Sequence, residues 1–238
     1  MFQVRMFKSF IRTLAIFSLA LIAACSSSKA AVRVPDPAVD TPLAKTSGSA
    51  TLVLGGGCFW GVQGVFQHVK GVTSVTSGYS GGNANTAEYE TVSTGSTGHA
   101  ESVKIIYDPS KVSLGQLLKV FFSVAHDPTE LNRQGPDDGT QYRSVIFYGD
   151  DDQKRVAQAY IDQLNSAKVF SGPIVTQLTA FKGFYPAEAY HQDYLKQHPN
   201  QPYIAINDLP KINHLQKTLP DLYTAQAVSF APSTSASK

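Results

Sequence analysis

The sequence has little net charge and only two cysteines. Of its 238 residues, 20 are Lys or Arg and 18 are Asp or Glu, which leaves a formal net charge of +2. No basic run follows the first dozen residues, so nucleic acid is not expected as a partner. Hydrophobic residues make up 42% of the chain, enough to build a core and to exclude disorder of the whole chain.

The first 24 residues are typical of a signal peptide. Basic residues precede an apolar stretch, 14–24, that is too short to span a bilayer comfortably. The stretch ends in Ala-Ala before Cys25, which resembles the processing box of bacterial lipoproteins. We expect Cys25 to be lipidated, so that the exported protein is anchored to a membrane of the cell envelope with its catalytic domain in the periplasm. Ordinary cleavage without lipidation is the alternative.

The rest of the chain divides into three parts. Residues 25–49 are rich in Ser, Ala, Pro and Asp and are interpreted as a lipidated N-terminus with a flexible tether. Residues 50–200 form one predicted catalytic domain, and residues 201–238 are predicted to be an irregular tail. If Cys25 carries lipid, Cys58 is the one thiol left in the domain and is expected to be reactive.

Strands and helices alternate in the predicted domain. Apolar runs and alternation predict strands at 51–54, 72–78, 99–107, 143–148 and 174–181. Helical spacing predicts helices at 58–69, 113–124 and 153–167, with Ser113 as an N-cap. This order indicates an α+β fold, a two-layer sandwich with a mixed sheet and a ferredoxin-like core with extensions.

Cys58 follows three glycines at a strand-to-helix junction. Unpaired N–H groups and the positive end of the helix dipole stabilise a thiolate there, so the pKa of Cys58 is expected to be lowered. The alternative is a small core residue beside a tight glycine turn.

Six segments in order carry a family resemblance. They are Gly57-Cys58-Phe59-Trp60-Gly61, Gly78-Tyr79-Ser80-Gly81-Gly82, Thr97-Gly98-His99-Ala100-Glu101, His126-Asp127-Pro128-Thr129, residues 135–144 and Tyr185-Pro186-Ala187-Glu188. Together they resemble the A-type peptide methionine sulfoxide reductases over residues 51–195. The resemblance implies reduction of the S epimer of methionine sulfoxide, free or in oxidised proteins.

The resemblance also assigns roles to site residues. Cys58 attacks the sulfoxide sulfur to give a sulfenic acid, and Glu101 is the acid, with a pKa raised by a partly apolar setting. Tyr79 and Tyr142 match the tyrosines that bind the sulfoxide oxygen. Phe59 and Trp60, followed further along by Asp137, match the substrate-binding residues; the two aromatic rings receive the methyl group and Asp137 orients the pocket.

The chain departs from many family members in having no resolving cysteine near its C-terminus, and Ser93 stands where a further cysteine is common. Cys58 is therefore expected to be regenerated by an external thiol: a thioredoxin-like or glutaredoxin-like protein, or a small thiol. No cofactor is expected. The six histidines show no spacing typical of a metal site.

Three other functions remain open at this point. A low-pKa Cys58 would also suit a peroxide-reducing protein with a single cysteine. A lipoprotein that kept the fold as a binding module is a second alternative. A Cys-His hydrolase is the third, although no histidine stands in a context that pairs with Cys58.

Overall fold

The computed structural model describes residues 32–230, which are built around a six-stranded sheet. The strands, in chain order, are β1 Ala50–Gly55, β2 Val72–Ser80, β3 Ala100–Tyr107, β4 Arg133–Gln134, β5 Asp137–Asp138, β6 Val145–Tyr148, β7 Gln177–Ala180 and β8 Phe184–Pro186. The sheet order is β7-β6-β1-β3-β2-β8, and only the β6–β7 pair is parallel. Strands β4 and β5 form a separate hairpin. The predicted mixed sheet is confirmed.

Helices pack on one face of the sheet. They are α1 Phe59–Gln67, α2 Tyr89–Val92, α3 Leu114–Val120, α4 Asp151–Ser166, α5 Tyr194–Gln197 and α6 Leu209–Thr218. Alternate residues of the central strands, such as Leu52 and Leu54, join the main core with the helices, whereas Val53 belongs to a smaller cluster on the opposite face. This alternation is the period-2 pattern of a strand. A mixed sheet covered by helices confirms the predicted α+β fold.

Two helices begin at the polar residues that the sequence indicates. Ser113 Oγ accepts a hydrogen bond from the backbone N–H of Gln116, and Gln116 Oε1 accepts one from the Ser113 N–H, so the pair forms a capping box. Asp150 accepts from the Gln153 N–H and caps α4. The helix predicted at 113–124 changes after Val120 into a π-helical turn, Phe121–Ala125.

The segment before β1 is not the flexible tether that was predicted, at least from residue 32 onward. Val34 is buried in the main core, and the Tyr160 hydroxyl donates to the carbonyl of Pro35 at 2.6 Å. Asp40 accepts from Ser113 Oγ at 2.5 Å and from the Gly115 N–H at 2.7 Å. The sequence of this segment did not predict these contacts, because each one is made to a residue distant in the chain.

The C-terminal segment is also not irregular as predicted. A π-helical turn, Ile204–Asp208, leads into α6, which buries Ile212 and Leu215. Pro210 in the first turn and the spacing of those two apolar residues are helix signals that could have been read from the sequence. Strand β8 was missed as well, because three residues are too few for alternation to be recognised.

The predicted signal peptide and the predicted lipidation site at Cys25 lie outside the described residues. Between residues 32 and 230, none of the helices combines the length and the apolar composition needed to cross a bilayer.

Replacing Asp40 by Ala should lower the free energy of unfolding by about 1–3 kcal/mol, because its partly buried carboxylate accepts bonds from the first turn of α3. Asp36 is the control. It pairs with Lys119 at 2.6 Å but is 85% exposed, so Asp36→Ala should change stability by less than about 1 kcal/mol. Urea denaturation of both variants measures the difference, and equal losses would show that residues 32–49 are not held by Asp40.

Candidate active site

The turn between β1 and α1 carries Cys58 as the N-cap residue of the helix. Gly57 has a φ of +86°, and a Cβ atom at this position would overlap the side chain of Gln134. A glycine is therefore required both by the backbone and by the neighbouring β4 strand. The turn leaves Cys58 buried, with 8% of its surface exposed.

Glu101 reaches the same turn from the neighbouring strand. Strands β1 and β3 are antiparallel, with Leu54 opposite Val103, so the start of β3 lies beside the end of β1. The Glu101 side chain is 3% exposed, and its Oε2 accepts a hydrogen bond from the Phe59 N–H at 3.0 Å. Phe59 is the first residue of α1, so this bond holds the carboxyl group next to Cys58.

Burial determines the protonation of both groups. It raises the pKa of Glu101 to about 8, with the Phe59 N–H acting in the opposite direction. Glu101 is therefore protonated at neutral pH, in agreement with its expected role as an acid.

The pKa of Cys58 is also raised well above its ordinary value, by burial first and then by electrostatic interaction with Glu101 and, less strongly, with Asp208. The expectation of a lowered Cys58 pKa is wrong for this state of the site. The Trp60 N–H does lower the pKa of Cys58, as the helix position suggested, but loss of hydration outweighs it.

Phe59 and Trp60 differ in their surroundings. Phe59 is fully buried, with its ring 5.9 Å from that of Tyr79 and 5.1 Å from that of His191. Trp60 is partly exposed and stacks on Tyr194 at 3.9 Å, and its indole N–H donates to His191 Nδ1 at 3.1 Å. The structure thus provides one buried aromatic ring and one partly exposed ring directly after Cys58 in the chain.

The two predicted oxygen-binding tyrosines are not equivalent. Tyr79 lies opposite Glu101 across β2 and β3, and its hydroxyl donates to Glu188 Oε2 at 2.9 Å. Tyr142 ends a short 3₁₀ turn and is half-buried. Burial raises the pKa of Tyr142, and the charges of Glu101, Asp137 and Cys58 raise it further, which places its hydroxyl in the electrostatic field of the site.

Asp137 meets a residue that the sequence analysis overlooked. Its Oδ2 accepts a hydrogen bond from the Tyr203 hydroxyl, and the Tyr203 ring stands edge-on to Trp60 at 6.0 Å. Burial raises the pKa of Asp137, whereas the Tyr203 bond and the charge of Lys211 lower it. Tyr203 was missed because it lies in the segment interpreted as an irregular tail.

Asp208 and Lys211 are two further residues from that segment. The Asp208 side chain is fully buried and lies 3.1 Å from Lys211 Nζ. Among residues 32–230, no group of three or more His, Cys, Asp and Glu side chains is arranged to hold a metal ion.

Comparison with known proteins gives a consistent result. Residues 50–222 match the family model described as peptide methionine sulfoxide reductase. The chain is 62% identical to peptide methionine sulfoxide reductase MsrA 2 of Mesorhizobium japonicum, over 76% of this chain and 93% of that protein. It is 51% identical to the protein of the same name from Synechocystis, over 82% of this chain and 92% of that protein.

Two solved structures are similar to the described fold. Mxr1 from Saccharomyces cerevisiae in reduced form has a TM-score of 0.59 and 31% identity, covering 70% of this chain and 98% of its own. Methionine sulfoxide reductase A of Corynebacterium diphtheriae has a TM-score of 0.56 and 34% identity, covering 66% of this chain and 78% of its own.

The raised pKa of Glu101 predicts a pH-dependent effect of Glu101→Gln on stability. The unfolded chain releases the Glu101 proton near its ordinary pKa of 4.5, and the folded chain keeps it up to about pH 8. The wild type therefore loses stability from Glu101 as pH rises through this window, and glutamine does not. Between pH 5 and pH 8, the free energy of unfolding of Glu101→Gln should rise by at least about 1 kcal/mol relative to that of the wild type.

Urea denaturation at several pH values measures this gain. Glu90→Gln is the matched control, because it makes the same chemical change on exposed surface. A pH-independent difference for Glu101→Gln would contradict the raised pKa.

Proposed function

Because this chain belongs to the peptide methionine sulfoxide reductase family and is a reductase of the A type, we propose that Cys58 attacks the sulfoxide sulfur while Glu101 protonates the sulfoxide oxygen. The observation that carries the proposal is the bond from the Phe59 N–H to Glu101 Oε2 at 3.0 Å. It places a buried, protonated carboxyl group one residue from the only cysteine of the described chain.

The proton and electron balance of the step is simple. The Cys58 thiol and the sulfoxide become a Cys58 sulfenic acid and methionine; the cysteine sulfur loses two electrons and the methionine sulfur gains them. Glu101 gives its proton to the oxygen as negative charge develops there, and the carboxylate then takes the thiol proton. A neutral thiol beside a neutral acid therefore supplies both a nucleophile and a proton donor once the sulfoxide is bound.

Tyr142 and Tyr79 bind the oxygen in this proposal. Tyr142 is half-buried and electrostatically coupled to both Glu101 and Cys58, which suits a donor to the developing charge. Tyr79 donates to Glu188 at 2.9 Å, so it must release Glu188 before it can donate to a sulfoxide. Because Tyr79 is engaged by Glu188, we propose that Tyr142 is the main donor to the sulfoxide oxygen.

The remaining roles concern the substrate. Trp60 and Phe59 receive the methyl group of the S epimer, because an aromatic face favours the partial positive charge on a sulfoxide sulfur. Asp137, held by Tyr203, orients the substrate at the pocket rim. The substrate in this proposal is methionine sulfoxide, free or in oxidised proteins.

An external thiol completes the cycle. Cys58 is the one cysteine among the described residues, so the sulfenic acid reacts with a thioredoxin-like, glutaredoxin-like or small thiol. The sulfenic oxygen leaves as water when this thiol forms a mixed disulfide with Cys58, and a second thiol then releases Cys58 by thiol–disulfide exchange. A raised Cys58 pKa disfavours the peroxide-reducing alternative, because peroxide reacts with thiolates.

A single turnover tests the reaction. The pre-reduced chain carrying Cys25→Ser is mixed, without reductant, with the separated S and R epimers of a methionine sulfoxide peptide. We expect about one methionine per enzyme from the S epimer alone, together with a dimedone-trapped sulfenic acid at Cys58. No methionine from either epimer, in a folded protein with a free thiol, would reject the mechanism.

Two variants assign the roles in the same assay. Cys58→Ser should form no methionine. Glu101→Gln should form methionine about 10²–10⁴ times more slowly, because the acid is lost while the hydrogen bond to Phe59 can be kept. Glu90→Gln is the exposed control and should match the wild type.

We further propose that the enzyme is exported and anchored to a membrane by lipid on Cys25. The support is the basic and apolar leader that ends in Ala-Ala before Cys25. Labelled palmitate, supplied to a bacterium expressing the full chain, should enter the protein and follow it into the membrane fraction. Cys25→Ser should carry no label, and an unlabelled wild-type protein would reject the anchor.

A further inference from the structure

A buried ion pair at the active site is unused by the mechanism above. Asp208 ends the turn Ile204–Asp208, and its side chain is completely shielded from solvent, with Oδ1 3.1 Å from Lys211 Nζ. Asp208 Oδ2 is buried without a hydrogen-bond partner among the described residues. A buried charge with an unsatisfied oxygen costs stability, so its position calls for a physical reason.

The carboxylate of Asp208 lies against the first turn of α1. A Cβ atom at Gly61 would overlap Asp208 Oδ1 and would crowd Lys211 Nζ. The last glycine of the Gly57–Gly61 segment therefore makes room for this ion pair. The first turn of a helix is its positive end and attracts an anion. Asp208 occupies the same end of α1 that Cys58 caps.

We propose that Asp208, held in place by Lys211, is a positioning residue that opposes ionisation of Cys58 in the resting enzyme. The positive end of α1 would stabilise a Cys58 thiolate, but the Asp208 carboxylate at the same helix end offsets this effect and repels the thiolate. The inference rests on the proposed role of Cys58 as the nucleophile. Its consequence is protection: a thiol reacts with peroxide far more slowly than a thiolate, and the described chain holds no second cysteine to rescue an oxidised Cys58.

The other acidic groups facing Cys58 differ from Asp208. Glu101 on β3 raises the pKa of Cys58 by more than Asp208 does, but its own pKa of about 8 keeps it protonated near neutral pH. Asp137 on β5 is less buried than Asp208 and already accepts a bond from Tyr203. Its charge and that of Asp208 both raise the pKa of Cys58, and the contribution of Asp208 is the larger.

Tyrosine hydroxyls are further titratable groups near the thiol. Tyr89, Tyr142 and Tyr203 all couple electrostatically to Cys58, and burial raises the pKa of each, so they remain neutral. Burial raises the pKa of Asp208 above its ordinary value, and Lys211 partly offsets this rise. In this proposal the ion pair with Lys211 keeps Asp208 as a carboxylate beside Cys58.

The test measures the rate at which iodoacetamide alkylates Cys58 as a function of pH. The full chain is used in its reduced form, and the peptide containing Cys58 is quantified by mass spectrometry so that Cys25 does not contribute. The variants are Asp208→Asn and the double variant Asp208→Asn with Lys211→Met. Asp152→Asn is the matched control, because Asp152 pairs with Arg155 at the same i,i+3 spacing on exposed surface.

The proposal predicts an order of pH midpoints. Asp208→Asn should lower the midpoint by at least about one pH unit, which is about a tenfold faster alkylation at neutral pH. The double variant should shift in the same direction by less, because it also removes the cation left unpaired in the single variant. Asp152→Asn should match the wild type, and hydrogen peroxide should inactivate Asp208→Asn faster than it inactivates wild type.

Loss of packing alone does not produce this order. Thermal unfolding monitors the fold of each variant, and the double variant keeps the test decisive if the single variant does not fold, since replacing both members of a buried ion pair is often tolerated. An unchanged or higher midpoint in the folded variants overturns the proposal. Single turnover of sulfoxide by the wild-type enzyme is a separate measurement. An unchanged alkylation midpoint in the Asp208 variants would therefore not contradict the reductase mechanism.

Discussion

The hydrogen bond from the Phe59 N–H to Glu101 is the interaction on which the site depends. It joins the first residue of α1 to the start of β3, and it requires that β1 and β3 run antiparallel so that the end of one strand lies beside the start of the other. The bond satisfies one of the N–H groups that a helix start leaves unpaired, and it orients the carboxyl group next to the thiol. This one contact therefore links the start of α1, the start of β3 and the position of the proposed acid.

Burial is the second governing factor. Cys58, Glu101 and Asp208 are all shielded from water at the first turn of one helix. Three ionised groups of like charge in one such place would repel each other strongly, because the low dielectric leaves their repulsion unscreened. The structure resolves the conflict by keeping Glu101 protonated, pairing Asp208 with Lys211 and leaving Cys58 as a thiol. A substrate that accepts a proton from Glu101 changes this balance at the moment of reaction.

The segments on either side of the central domain contribute to it in different ways. Residues before β1 stabilise the fold, because Asp40 and Val34 dock on α3 and in the core. Residues after His198 complete the site, because Tyr203 holds Asp137 and Asp208 fills the space above Gly61. Neither segment carries a long apolar pattern, and each acts through a few contacts to distant parts of the chain.

The sequence by itself determined the α+β architecture and the strand-to-helix position of Cys58, because hydrophobic periodicity encodes them, and its ordered motifs led to the proposal of Glu101 as the acid. It did not determine the pKa of Cys58. The helix end predicted a lowered value, and only the tertiary structure showed that burial, together with Glu101 and Asp208, outweighs it. It likewise did not indicate that Tyr79 is engaged by Glu188, or that Gly61 makes room for Asp208. These features arise from contacts between residues distant in sequence, and no local pattern records such contacts.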